Sequence, residues 1–295
     1  MTAAPAAGAF DTTFPAPAKI NRFLHITGRR ADGYHELQTV FQFLGLEDAL
    51  RFEPLPAGRF EMAGTVIDGT GNLCLRAARR LAGVAGTPFG VRIHLDKRIP
   101  VGGGLGGGSS DAATTLVALN HLFRLGCSVE QLAAIGLEMG ADVPVFVAGH
   151  AAWAEGVGEQ LVPVDPATGW VLLIDPGVSV ATGAMFGCAE LTRDCPTETI
   201  SSAIDDGRFV NVFEPVVRAR YPEVDRALAW LAEQAPRAHL SGSGGCVFGI
   251  FSEEGVARAA QSAQPVPWRS WVTRLENVSP LQAWLPSRGA GIEAR

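Results

Sequence analysis

Between Val101 and Asp111 the chain reads Gly102-Gly103-Gly104-Leu105-Gly106-Gly107-Gly108-Ser109-Ser110, so six of the seven positions 102–108 carry no side chain. Glycine loses more conformational freedom on folding than any other residue, and such a run needs a compensating reason. Close approach of another group to the backbone, with several N–H groups aimed at one point, is such a reason, and proteins hold phosphate oxygens that way. The flanks agree. Upstream, Val91, Ile93 and Leu95 alternate with Arg92, His94 and Asp96, the period-two pattern of a half-buried strand. Downstream, Ser109 or Ser110 can cap a helix and Asp111 suits its first turn. Ala112, Ala113, Leu116, Leu119 and Phe123 then recur at helical spacing. Strand, glycine loop and helix N-terminus in that order favour a bound anion. A flexible linker lacks such patterned flanks.

The residues downstream of the loop exclude several known phosphate-binding patterns. A Walker-type loop ends Gly-Lys-Ser or Gly-Lys-Thr, and no lysine comes after Gly108. Gly102-x-Gly104-x-x-Gly107 satisfies the dinucleotide fingerprint, but so many glycines fit almost any spacing. The acidic residue that fingerprint requires about 20 positions later is missing around Leu125-Gly126-Cys127, which disfavours an oxidoreductase. Neither His-Arg-Asp nor Asp-Phe-Gly occurs, as a protein-kinase loop would demand.

Composition narrows the classes further. At 295 residues and 47% hydrophobic content the chain can bury a large core and form two domains. A net charge of −6 speaks against a nucleic-acid or anionic-membrane partner. No apolar run reaches the roughly 18 residues that span a bilayer. The N-terminal stretch is rich in alanine and proline and lacks a basic n-region, so 1–16 read as a loose tail and not as a signal peptide. Cys74, Cys127, Cys188, Cys195 and Cys246 fit neither a zinc motif nor a disulfide framework, which suits the cytoplasm. Of 24 basic residues only Lys19 and Lys97 are lysines. A compact ammonium is expected where a planar guanidinium cannot substitute.

Strands and helices alternate from Pro17 to Val164. Lys19–Ile26 reads as a strand with Lys19 and Asn21 on one face. Arg29-Arg30-Ala31-Asp32-Gly33 is a turn, and Tyr34–Leu44 returns extended. Asn72 caps a helix through Leu81, and Ser128-x-x-Gln131 is a capping box for a helix ending near Gly140. A hairpin is expected around Gly156-Val157-Gly158. The Asp165-Pro166-Ala167-Thr168-Gly169 stretch marks a boundary, so that 1–164 and 165–295 form two domains. In the second, Trp170–Ile174 and Trp271–Thr273 read as strands, and Pro222–Ala235 and Ser252–Ala263 as helices.

Phosphoryl transfer requires positioning, cations against phosphate oxygens and a group that orients or deprotonates the nucleophile. Asp142 is the candidate base, although an Asp two residues before Pro144 also suits the cap of a short helix. Lys19 is the candidate cation or a solvated strand charge. Ser241-Gly242-Ser243-Gly244-Gly245 is a second glycine-rich binding turn or only a tight turn.

Pro17-Ala18-Lys19-Ile20-Asn21, the glycine loop with Ser109-Ser110-Asp111, and Leu240-Ser241-Gly242-Ser243-Gly244 resemble the three signature motifs of the GHMP kinases. Ile26–His35, Gly140-Ala141-Asp142-Val143-Pro144 and Ala154-Glu155-Gly156-Val157-Gly158 resemble, within them, the bacterial kinases of 4-diphosphocytidyl-2-C-methylerythritol. The resemblance implies an α+β, two-domain GHMP kinase fold with mixed sheets and helices packed on them. It implies ATP-dependent phosphorylation of the 2-hydroxyl of that small molecule, in the methylerythritol phosphate route to isoprenoids. ATP is the co-substrate, Mg2+ is expected with its ligands unassigned, and neither nucleic acid nor membrane takes part. By the same resemblance Asp142 is the base and Lys19 polarises the hydroxyl and the nearby phosphate. Lys97, Pro100, Gly102, Gly103, Gly104, Leu105, Gly106, Gly107, Gly108, Ser109 and Ser110 bind ATP. Asn21, Tyr34, His35, Thr182, Phe186, Gly242 and Ser243 line the substrate site, with Tyr34, His35 and Phe186 around the cytosine. An aromatic beside an imidazole offers a stacking face and a hydrogen-bonding edge, as a pyrimidine demands. Without the resemblance, a core Tyr34 and a surface His35 remain an alternative reading. Thr182-Gly183 departs from the family's Thr-Pro step before the helix that carries Phe186. Other GHMP kinases, acting on homoserine, mevalonate or a sugar, and a non-catalytic nucleotide-binding protein are the alternative readings.

Overall fold

The computed structural model describes residues 9–63, 71–201 and 210–285. Its frame is a long hairpin of β1 (Phe14–Arg29) and β2 (His35–Leu55), with Phe14 opposite Leu50 and Arg29 opposite His35. The expected tail over 1–16 is therefore corrected at its end. Phe14 and Ala16 are buried within β1, because their side chains fill the first core, and residues 1–8 lie outside the described residues. Register shifts after Pro17, Asn21 and Ile26 bend the hairpin, as bulges do. Every residue of β1 from Ala16 to Ile26 is buried, so both faces of this strand are covered. That arrangement takes Lys19, Asn21, Arg22 and His25 out of bulk water.

β2 also pairs with β4 (Gly90–Asp96), β5 (Ala152–Glu155) and β10 (Arg269–Glu276), joining the first half of the chain to the second. β3 (Phe60–Ala63) runs parallel to β4, and β5 turns back onto β6 (Gln160–Pro163) through the expected hairpin. Beyond β10 the sheet continues antiparallel through β7 (Trp170–Asp175), β9 (Val247–Phe251) and β8 (Ala238–Leu240). The result is one mixed sheet with helices packed on it, an α+β architecture.

Helices start where the chain supplies partners for their free N–H groups. The Asn72 side chain accepts from the Cys74 N–H to open α1 (Leu73–Ala85), and Gly86 closes it in the left-handed conformation. Ser128 and Gln131 form the expected reciprocal box at α3 (Val129–Leu137). α2 (Gly107–Leu122) starts differently. Its N-cap is Gly106 at φ +70°, with no side-chain cap, so Ser109 and Ser110 lie inside the first turn and do not cap it. A short α4 (Val143–Ala148) comes directly after Asp142. In the second half stand α5 (Thr182–Phe186), α6 (Glu214–Arg220), α7 (Pro222–Gln234) and α8 (Glu254–Ser262).

Two principal cores result. The first joins Phe43, Phe52 and Leu50 to α1, α2, α3 and α4, and it also takes in Leu281 near the other end of the chain. The second joins Leu172 and Ile174 to Phe213, Leu228 and Leu231, and it takes in Leu24 and Ile26 of β1. Fully burying a leucine or phenylalanine contributes about 2 kcal/mol, so these exchanged residues fasten the two halves together.

Candidate active site

The glycine run is held on both sides by backbone. Gly245 and Cys246 N–H donate to the Gly102 and Gly103 carbonyls at 3.1 and 3.2 Å, and Lys19 N–H donates to Leu105 O at 3.0 Å. Ser241 Oγ donates to Gly104 O at 3.1 Å. A Cβ on Gly104 would lie 1.9 Å from Ser241 O, at a φ of +77° that side chains avoid. Much of the close approach anticipated at this loop thus comes from the chain's own Ser241–Cys246 segment. Gly108 differs, since a Cβ there meets nothing nearer than Leu73 Cδ1 at 3.6 Å. The first hydrogen bond of α2 runs from Ser110 N–H to Gly106 O, which leaves the N–H groups of Gly107, Gly108 and Ser109 without helical partners at its positive end.

The loop is a wall between two cavities. The larger, about 850 Å³, is lined by Lys19, Asn21, Tyr34, His35, Gly104, Gly106, Gly107, Gly108, Ser109, Asp142, Thr182, Phe186, Gly242 and Ser243, among others. The smaller, about 260 Å³, lies against Lys97, Pro100, Gly102, Gly103 and Leu105 and shares Gly104, Gly106, Gly107 and Gly108 with the first. One expected site residue reaches neither: Ser110 is fully buried beneath the loop.

In the wall of the larger cavity Lys19 Nζ stands 3.2 Å from Asp142 Oδ2. It donates to Asn21 Oδ1 at 2.6 Å and to Gly104 O at 3.1 Å, and Asn21 in turn donates to Thr39 Oγ1 at 2.9 Å. Lys19 is 3% exposed, so its ammonium has one fixed position. Asp142 occupies the N-cap position of α4, yet its side chain makes no cap hydrogen bond and faces Lys19 instead. Its carboxylate is about one-third exposed and accessible from the cavity.

At the far end, the Tyr34 N–H donates to Asp32 Oδ1 at 3.1 Å, and this tight turn leaves Tyr34 65% exposed at the rim. His35 stacks on Phe186 with ring centroids 5.0 Å apart and planes 25° from parallel. Phe186 rests edge-on against Phe213 at 4.9 Å. Ser243 Oγ donates to Thr182 Oγ1 at 2.9 Å, joining the third glycine motif to α5. Burial, then the charges of Arg193 and Arg29, hold the His35 imidazole below its usual range. Arg193 Nε donates to His35 Nε2 at 3.2 Å. Neither Arg193 nor Thr39 lies in a motif, and the side chains they meet, His35 and Asn21, stand 158 and 18 positions away, so the sequence carries no sign of either.

Lys97, at the smaller cavity, is tied down. Its Nζ lies 2.5 Å from Asp48 Oδ2 and 2.7 Å from Asp111 Oδ2. Burial opposes its charge, but the two carboxylates outweigh that and hold its pKa up, while burial pushes the Asp111 carboxyl up. Asp48 Oδ1 also accepts from the Ile99 N–H at 2.8 Å, anchoring the loop's upstream end. Standing 49 residues from Lys97, Asp48 leaves no local signal in the sequence.

The chain matches the family models described as GHMP kinases N terminal domain, over residues 72–150, and GHMP kinases C terminal, over residues 198–264. It is 51% identical to a 4-diphosphocytidyl-2-C-methyl-D-erythritol kinase of Halorhodospira halophila over 93% of this chain and 96% of that one. A protein of the same name from Pseudomonas paraeruginosa is 51% identical over 91% and 95%. A crystal structure of 4-(cytidine 5'-diphospho)-2C-methyl-D-erythritol kinase superposes with a TM-score of 0.79 at 36% identity, covering 90% of this chain and 99% of that one. A homoserine kinase from Cytophaga hutchinsonii shares the fold at a TM-score of 0.68 and 17% identity, covering 90% of this chain and 94% of that one. The fold and site thus define a GHMP kinase, for which ATP is co-substrate. Within that class the chain belongs to the family of 4-diphosphocytidyl-2-C-methyl-D-erythritol kinases.

Proposed function

We propose that the chain transfers the γ-phosphoryl group of ATP to the 2-hydroxyl of 4-diphosphocytidyl-2-C-methyl-D-erythritol, a step of isoprenoid precursor synthesis. The observation that carries the reading is the Lys19–Asp142 pair at 3.2 Å, lining one cavity together with the N-terminus of α2 and with Tyr34, His35 and Phe186. The Asp142 carboxylate accepts the hydroxyl proton as the oxygen attacks the γ-phosphorus in line. The bond from that phosphorus to the β–γ bridging oxygen breaks, and ADP leaves without a phosphoenzyme. Lys19, held by Asn21 and the Gly104 carbonyl, sets its charge against the hydroxyl and the γ-phosphate. The free N–H groups of Gly107, Gly108 and Ser109 orient the polyphosphate. A positioned base contributes about 10²–10⁴-fold, with charge placement supplying much of the rest.

Among the described residues no group of three His, Cys, Asp or Glu side chains could hold a metal ion, and Mg2+ would be bound together with ATP. Asp111, whose Oδ1 is buried without a partner beside the smaller cavity, fits as the protein's contribution. When bound, the ion neutralises charge on the phosphates. We assign 1–164 as the ATP-binding domain and 165–295 as the second, joined by the exchanged core residues. Five free thiols suit the cytoplasm. Among the described residues no helix is long and apolar enough to cross a membrane.

The test is incubation with ATP and the cytidylated methylerythritol, with the products read by phosphorus NMR. ADP and one new phosphomonoester are expected, while homoserine and mevalonate yield none. Absence of transfer to the cytidylated substrate overturns the reading.

A further inference from the structure

Arg193 lies in the segment after α5, outside the three signature motifs, and bonds both the His35 ring and the Phe186 main chain at the larger cavity. Its Nη2 donates to the carbonyls of Phe186 at 2.8 Å and Cys188 at 2.6 Å, and its Nη1 to Leu191 O at 2.9 Å. Its Nε donates to His35 Nε2 at 3.2 Å. A guanidinium has no acceptor atom, so in this bond His35 Nε2 must be the acceptor. The ring proton of the neutral imidazole then resides on Nδ1, because the bond at one nitrogen decides the state of the other. Among the described residues Nδ1 meets no hydrogen-bond partner, and His35 lines the cavity.

We propose that Arg193 is the positioning residue that makes His35 a fixed hydrogen-bond donor to the pyrimidine of the substrate, by locking its proton on Nδ1 and holding its ring against Phe186. The inference rests on the cytidylated substrate proposed above. A base that accepts from Nδ1 lies near the imidazole plane, and that plane is within 25° of the Phe186 ring. One residue thereby sets both the hydrogen bond and the stack. Cytosine offers acceptors at N3 and O2, whereas uracil carries a proton at N3, so a locked donor facing N3 selects cytosine. Lowering of the imidazole pKa by burial, Arg193 and Arg29 favours the neutral ring, which acceptance at Nε2 from Arg193 requires.

Nitrogen NMR of ring-labelled histidine reads the proton position directly, with His35 assigned by its loss in His35→Gln among six histidines. The unliganded protein should show His35 neutral with the proton on Nδ1, and Arg193→Met should move it toward Nε2. In steady state Arg193→Met should raise KM for the cytidylated substrate about ten-fold, the loss of one charge-assisted hydrogen bond. KM for ATP should hold, and kcat should change by less than about three-fold. A wild-type ring protonated on Nε2, or an Arg193→Met ring unchanged from wild type, overturns the proposal even if the enzyme is active. An enzyme inactive on the cytidylated substrate but with the Nδ1 proton in place overturns the functional reading and leaves the Arg193–His35 lock standing.

Discussion

Alanine substitutions at Gly104 and Gly108 separate the two reasons for the glycine run. In Gly104→Ala the residue keeps a φ of +77°, which costs a side-chain-bearing residue about 1–2 kcal/mol. Its Cβ would stand 1.9 Å from Ser241 O, so the two backbones must part. Parting them forfeits the Gly245–Gly102 and Cys246–Gly103 hydrogen bonds, at about 1 kcal/mol each. The sum is about 3–4 kcal/mol. With an unfolding entropy of about 2.1 cal/mol/K per residue, this lowers Tm by about 5–6 °C for a chain of 295 residues. Gly108→Ala is the opposite case. The nearest atom to its Cβ is Leu73 Cδ1 at 3.6 Å, an ordinary van der Waals contact. Alanine in the first turn of α2 favours the helix by up to about 1 kcal/mol, yet its methyl protrudes from the wall common to both cavities. Scanning calorimetry without nucleotide should show Gly104→Ala melting lower and Gly108→Ala melting level or slightly higher. Steady-state rates should show a raised KM for ATP in Gly108→Ala. Equal melting of Gly104→Ala and wild type would refute the bracing argument.

Three further outcomes are expected. Asp142→Asn should retain ATP binding by calorimetric titration while kcat falls by about 100-fold or more, the scale of a lost general base. Lys19→Arg should lose most activity, because a 3% exposed ammonium with three oxygen partners within 3.2 Å leaves no space for a planar fork; full activity would remove the need for a point charge. Burial, then the facing charges of Arg193 and Arg29, hold the His35 imidazole below its ordinary range. KM for the cytidylated substrate should therefore be level from pH 8 to about 6.5 and rise only below. In that lower window the unfolded chain binds a proton that the folded ring refuses, so this group removes stability as pH falls.

Local patterns are legible where a residue's partner lies close in the chain. Asn72 and the Ser128–Gln131 box announce their helices, and the alternation of Val91, Ile93 and Leu95 announces β4. The start of α2 is not legible, since two serines look like caps while the backbone uses Gly106 at positive φ. The full length of β2 is hidden because buried Asp48 interrupts its apolar pattern, and its partners, Lys97 and the Ile99 N–H, lie far along the chain. Asp142 reads as base or cap; its side chain turned toward Lys19 decides between them in geometry, which no spacing rule could supply. Arg193 carries no signal, as its near partners are main-chain carbonyls, which any residue offers, and its ring partner is 158 positions away.

The bracing of the glycine loop also bears on biosynthesis. Gly104 O is gripped by Lys19, 85 positions upstream, and by Ser241, 137 positions downstream. A ribosome that has delivered the first half of the chain has therefore made the loop but not the segment that shapes it. The braced shape of the loop is therefore completed only once residues 241–246 have been made and have left the exit tunnel.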